Sequence, residues 1–71
     1  MKNSSRNYKQ DLIKRYNRCR TLIALNEEYL ENYRDLMTED AIEVMQHELD
    51  HLRIDLINIR AEAERNGVIL P

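Results

Sequence analysis

The feature that most constrains the fold is the absence of glycine and proline from the whole chain before Gly67. Along this uninterrupted stretch, apolar and aromatic residues recur at steps of three and four. That spacing places them on one side of an α-helix and does not suit the alternating pattern of a strand. Charged residues make up 34% of the chain, which is typical of helices with long exposed faces. We therefore expect an all-α fold.

The first predicted helix spans residues 7–37 and follows a flexible leader, residues 1–6. Asn7 and Gln10 have the spacing of an N-terminal capping box. The apolar seam of this helix consists of Leu12, Tyr16, Cys19, Ile23, Leu30, Tyr33 and Met37. Asn26 interrupts the seam, where a polar residue commonly fixes register or oligomeric state. Asn26 could instead cap a new helix after a kink. We favour one continuous helix.

The second predicted helix spans residues 38–66. Thr38 is a good N-cap, and the two acidic residues behind it suit the positive end of the helix dipole. Its seam has no interruption and consists of Ile42, Met45, Leu49, Leu52, Leu56, Ile59 and Ala63. Asn66 and Gly67 are typical of a left-handed C-cap. Residues 67–71 then form a short apolar tail, which we expect to fold back onto the protein.

Two helices joined by a short turn predict a single domain, residues 1–71, folded as an antiparallel two-helix hairpin. A core of this size rarely contributes more than about 3–5 kcal/mol. The lone Cys19 can form no intrachain disulfide. The first helix also carries a second apolar strip beside its seam, which we call the α1 strip: Leu22, Leu25, Tyr29 and Leu36. We expect this strip to be an oligomer interface in a homodimer that forms a four-helix bundle.

The segment His47-Glu48-Leu49-Asp50-His51 has the spacing by which zinc peptidases place two imidazoles and a carboxylate on one helix. At 100° per residue, however, His47 and His51 lie roughly 150° from the centre of the second seam. They point away from the core, toward a side where we expect no other part of the chain to supply a third metal ligand. We expect neither catalytic zinc nor another cofactor. A metal held weakly at the surface or between subunits by the two histidines is the alternative.

Apolar residues share this outward side of the second helix, which indicates a docking surface for a protein partner. The residues we expect to contact the partner are Val44, His47, Asp50, His51 and Ile54, with Arg15 and Arg18 from the first helix. The leading hypothesis is a non-enzymatic interaction module. By analogy with compact helical proteins of this size, including phage-encoded ones, it would regulate or inhibit a larger assembly. With no apolar stretch long enough for a membrane, we expect a cytoplasmic location and no membrane association.

Charge is divided unevenly along the chain. Residues 1–20 carry seven Lys or Arg and one Asp, whereas residues 21–71 carry four basic and twelve acidic residues. The division suits two antiparallel helices of opposite charge. It also supports an alternative function, nucleic-acid binding through the basic N-terminal helix, in which tyrosines alternate with Lys and Arg. The net negative charge of the whole chain argues against this alternative.

The segment LMTEDAIEVMQHELDHL resembles the second half of the small sporulation-regulating aspartyl-phosphate phosphatases of bacilli, which are helical hairpins with an S-Q-E-L-D-x-L signature. The matching residues are Thr38, Ile42, Glu48, Leu49, Asp50 and Leu52. The resemblance implies that Asp50 is a catalytic carboxylate acting on a phosphorylated response regulator. The Ser-Gln of the signature is replaced by Gln46 and His47. The resemblance covers about a quarter of the chain.

Overall fold

The computed structural model describes residues 4–71, with side chains from Asn7 onward. Helix α1 spans Ser4–Tyr33, a short 3₁₀ turn spans Arg34–Leu36, and helix α2 spans Glu39–Arg65. The two helices pack antiparallel into a hairpin of 52 × 18 × 16 Å. The all-α hairpin is therefore confirmed. Neither helix of the described residues has an apolar stretch long enough to cross a membrane.

Helix α1 runs through Asn26 without a break, as predicted, but both of its predicted ends are wrong. It begins at Ser4, so Asn7 lies inside the helix and is not its cap. Residues 4–6 contain no helix breaker, which lets the helix extend by almost one turn. Residues 1–3 of the predicted leader lie outside the described residues. The helix ends at Tyr33, four residues early, because the chain needs the 3₁₀ turn and an extended Met37 to reverse.

The start of α2 matches its predicted cap closely. Thr38 has extended backbone angles, and its hydroxyl oxygen accepts a hydrogen bond from the backbone N–H of Ala41 at 3.1 Å. This bond satisfies one of the N–H groups that the first helical turn leaves without a partner. Glu39 and Asp40 occupy the first turn, where carboxylates interact favourably with the helix dipole.

The end of α2 forms a Schellman motif, in which glycine adopts the left-handed conformation. Gly67 has φ of 66°, and the Val68 N–H donates to the Ala63 carbonyl at 2.8 Å. The Gly67 N–H donates to the Glu64 carbonyl at 3.3 Å. This geometry turns the tail back, so that Val68 is buried beside the helix end it caps. The predicted left-handed cap and folded-back tail are both confirmed.

The main core lies toward the open end of the hairpin, away from the turn. It consists of Leu12, Tyr16, Cys19, Leu52, Ile59, Ala63 and Val68. Leu30 and Leu49 are also buried and border one groove nearer the turn. Tyr33 was predicted as a seam residue, but it is about half exposed because α1 ends there. Its ring packs on Tyr29, with centroids 4.8 Å apart.

Candidate protein-interaction surfaces

The outward side of α2 carries exposed apolar and imidazole side chains, which we call the α2 strip: Val44, His47, His51 and Ile54. The exposed fractions of Val44 and Ile54 are 68% and 55%. In the middle of this segment, Leu49 turns inward and is buried. The strip exists because positions three, four and seven apart share one side of a helix while Leu49 faces α1. The structure thus places large apolar groups where only solvent or another molecule can contact them.

The two histidines have few potential metal ligands around them. Nδ1 of His51 lies 4.0 Å from a carboxylate oxygen of Asp55, one helical turn away, and both side chains are more than half exposed. Within the described residues, no group of three His, Cys, Asp or Glu side chains converges on one point. The arrangement is an open helix surface with one His–Asp contact, and a metal shared between subunits stays a prediction.

Asp50, which the phosphatase resemblance implies to be catalytic, lies at the edge of a groove between the helices. Its carboxylate is 3.5 Å from one terminal nitrogen of the Arg53 guanidinium, and the other terminal nitrogen lies 2.8 Å from the carboxylate of Glu27 on α1. Gln46, one turn before Asp50, borders the same groove. Asp50 therefore borders a polar groove and lies one turn before Ile54 of the α2 strip, and its contact with a partner stays a prediction.

Every member of the α1 strip is exposed, from Leu22 on α1 at 37% to Leu36 in the 3₁₀ turn at 84%. Leu25 and Tyr29, in the middle of the strip, are 57% and 49% exposed. Leu22 also borders a second groove, whose α2 wall includes Asp55 and Asn58. The strip therefore forms one flank of the hairpin, on the side opposite the Asp50 groove.

The basic residues near the open end are partly engaged by α2. A guanidinium nitrogen of Arg15 lies 3.6 Å from the carboxylate of Glu62. Arg15 and Arg18 both border the groove that contains Asp55. Individual carboxylates of α2 thus lie beside the basic segment, but residues 52–71 carry three basic and three acidic residues and are not acidic overall. A role for either arginine in contacting a partner or nucleic acid stays a prediction.

Glu62 is the centre of a polar network that the sequence did not reveal. The Tyr8 hydroxyl donates to its carboxylate at 2.5 Å and accepts from the Asn66 amide at 3.1 Å. Mainly because of the bond from Tyr8, the pKa of Glu62 is lowered and that of Tyr8 is raised. These groups lie more than 50 residues apart in sequence, so only the register of the hairpin brings them together. The network ties the start of α1 to the end of α2.

Two arginines also flank one buried tyrosine. The guanidinium carbons of Arg20 and Arg60 lie 5.5 Å and 5.9 Å from the centre of the Tyr16 ring. Hydrogen bonding from Arg60 is the main reason that the pKa of Tyr16 is lowered. Tyr16 was predicted as a core residue, which its burial confirms. Its position against two guanidinium groups was not predicted, because Arg60 comes from the other helix.

Cys19 has the surroundings of an inert thiol. Its sulfur donates a hydrogen bond to the Leu52 carbonyl at 3.1 Å, and burial is the main cause of its raised pKa. A raised pKa keeps the group as a thiol, whereas nucleophiles and metal ligands react as thiolates. Cys19 is thus placed as a packing residue.

Comparison with known proteins finds no matching family model, no similar curated protein and no similar solved structure.

Proposed function

We propose that this protein is a non-enzymatic interaction module that binds a larger protein through the α2 strip and thereby regulates or inhibits it. The observation that carries this proposal is the alignment of exposed Val44 and Ile54 on the outward side of α2, with His47 and His51 between them. Scattered apolar residues are normal on a protein surface, whereas aligned exposed apolar residues are typical of interaction sites.

The shape of the α2 strip suits a groove in a partner protein. Its anchors lie on about three turns of a straight helix, as in partners that insert the apolar side of a helix into a groove. Full burial of one aliphatic side chain contributes about 1.5–3 kcal/mol, or roughly a tenfold to hundredfold change in affinity. Val44 and Ile54 together could therefore dominate the affinity, with the imidazoles between them supplying polar contacts.

The test uses affinity capture from extracts of cells that produce the protein, followed by quantitative mass spectrometry. We expect one protein to be enriched by the wild type and lost with Ile54→Asp. Ile69→Asp is the matched control, because Ile69 is exposed but lies in the tail, away from the α2 strip. The same loss with both variants, or retention with Ile54→Asp, would contradict the proposal. A circular-dichroism spectrum checks that each variant is still helical.

Asp50 supports a second candidate function, that of an aspartyl-phosphate phosphatase. Its carboxylate is exposed, borders a groove and lies one turn from Gln46, and these positions belong to the segment that resembles the sporulation phosphatases. The test is to load response regulators with acetyl phosphate and follow their dephosphorylation. Acceleration by the wild type but not by Asp50→Asn would support this function. No acceleration of any tested regulator would count against it.

A further inference from the structure

The α1 strip differs from the α2 strip because it continues sideways to the edge of the core. Leu22, Leu25 and Tyr29 fall within an arc of about 60° on α1, at one side of the seam, and Leu36 follows in the 3₁₀ turn. Leu22 borders the groove whose floor contains the buried Cys19 and Leu52. A surface that covered the strip would thus extend the existing core instead of forming a separate contact.

Charge is also segregated along the length of the hairpin. The half that contains the turn, residues 24–48, has eight carboxylates against Arg34, a net charge of −7. In the half at the open end, residues 7–23 and 49–71 have eight basic and five acidic side chains, a net charge of +3. The hairpin is therefore acidic at its turn and basic at its open end.

From these two observations we infer that the α1 strip binds a second copy of this chain, with the two hairpins running antiparallel to form a four-helix bundle. A parallel pair would place one acidic turn half on the other. An antiparallel pair can place the outermost part of each acidic half, residues 31–41, beside Arg18 and Arg20 of its neighbour. It also forms a closed two-fold contact, in which the same strip supplies both sides of the interface.

The register follows from the position of the strip. If the two-fold axis passes at the level of residue 27, between Leu25 and Tyr29, Leu36 lies about 14 Å from the axis. Leu36 of one copy then lies beside Arg18 of the second copy, because Arg18 is nine residues from the axis in the opposite direction. The ion pairs among the described residues do not involve Arg18, which leaves it available to carboxylates at the second copy's turn.

The contact area is adequate for a small specific interface. In this register the two hairpins overlap along about 30 Å, and each is about 18 Å wide. The projected area is roughly 550 Å² per copy, and the corrugated surface of the side chains raises the accessible area that is buried. Specific interfaces bury about 600–1,000 Å² per partner. We therefore expect a specific dimer of small contact area that dissociates on dilution.

The first test is sedimentation equilibrium of the full chain over about 1–200 μM. We expect a dimer for the wild type and a monomer for Leu25→Asp, which places a carboxylate at the centre of the interface. Ile54→Asp is the matched control and should still dimerise, because Ile54 lies on the α2 strip. This control also separates the inference from the proposed function, which requires Ile54. A wild type that stays monomeric throughout would overturn the inference.

The orientation has its own test, which does not depend on whether Leu25→Asp folds. A spin label at Lys9→Cys, in a Cys19→Ala background, should give a distance between copies of about 55 Å by pulsed electron paramagnetic resonance. A parallel pair would bring the two labels within about 25 Å, the width of neighbouring helices with their labels. A measured distance in that short range would overturn the antiparallel arrangement.

Salt provides a further check on the charge argument. The screening length falls from about 14 Å at 0.05 M to about 3 Å at 1 M. We expect the dissociation constant to rise several-fold over this range, because attraction between opposite halves is lost. Tighter association in high salt would contradict an interface oriented by charge.

Discussion

Replacing Gly67 provides a sensitive test of how the tail is held. With φ of 66°, this residue is in the left-handed region, which costs most residues with a Cβ about 1–2 kcal/mol. A Cβ built on Gly67 would meet nothing within 4 Å, so no steric clash adds to this cost. Alanine also reduces the freedom of the unfolded chain, which offsets about 0.4–1 kcal/mol. We therefore expect Gly67→Ala to lower the free energy of unfolding by about 1 kcal/mol.

The measurement is a thermal melt followed by circular dichroism at one fixed protein concentration, since association would shift the midpoint. A change of about 1 kcal/mol corresponds to a fall of about 4–8 °C in a domain of this size. Gly67→Asn is the matched control, because asparagine tolerates the left-handed conformation and should cost clearly less. Equal melting points for the alanine and asparagine variants, or stabilisation by alanine, would refute backbone strain as the reason for glycine here.

Three further predictions concern the core, the polar network and the thiol. Leu12 is completely buried, so Leu12→Ala should cost about 2–5 kcal/mol in urea unfolding, whereas Ile69→Ala, in a residue that is 90% exposed, should change it by less than about 0.5 kcal/mol. If Ile69→Ala cost as much as Leu12→Ala, the side chain of Ile69 would have to be buried. The lowered pKa of Glu62 contributes stability that is present above its ordinary value of 4.5 and lost as the pH falls through the lowered value. The melting temperature should therefore decrease as the pH drops below about 4.5, and the decrease should be smaller in Tyr8→Phe. An equal decrease in the wild type and in Tyr8→Phe would contradict the Tyr8 contact. Cys19 should react slowly with iodoacetamide until urea unfolds the chain, and reaction at the unfolded rate would show an exposed thiol.

The ends of the two helices show which boundaries a sequence can predict. For α2, Thr38 and Gly67 act through local chemistry, a side-chain oxygen that caps N–H groups and a residue free to adopt positive φ. Both positions were predicted correctly. The end of α1 has no such residue, and the helix stops at Tyr33 because the chain must reverse there to pack α2 against it. That requirement comes from the tertiary fold, so a local pattern cannot reveal it.

The candidate surfaces divide in the same way. The exposed positions of the α1 and α2 strips follow from the period of the helix, which sequence spacing shows directly. Contacts between helices, such as Arg53 with Glu27 or Tyr8 with Glu62, depend on how far one helix is displaced along the other. A displacement by one turn, about 5.4 Å, leaves every residue on the same face while changing all of these partners. The heptad pattern therefore predicts which residues of one helix face the other helix. It does not predict which residue pairs are in contact.

Both the burial of side chains and the net charge change along the long axis of the hairpin. The main core and the excess of basic side chains lie at the open end, whereas Leu36 and Val44 are exposed near the acidic turn. The turn half therefore has few buried contacts of its own and repulsion among its carboxylates. A surface that is both apolar and basic would relieve both deficits together. In the proposed dimer the second copy would supply such a surface from Leu22 to Arg18, so self-association through the α1 strip would stabilise the half of the molecule that the intrachain core supports least.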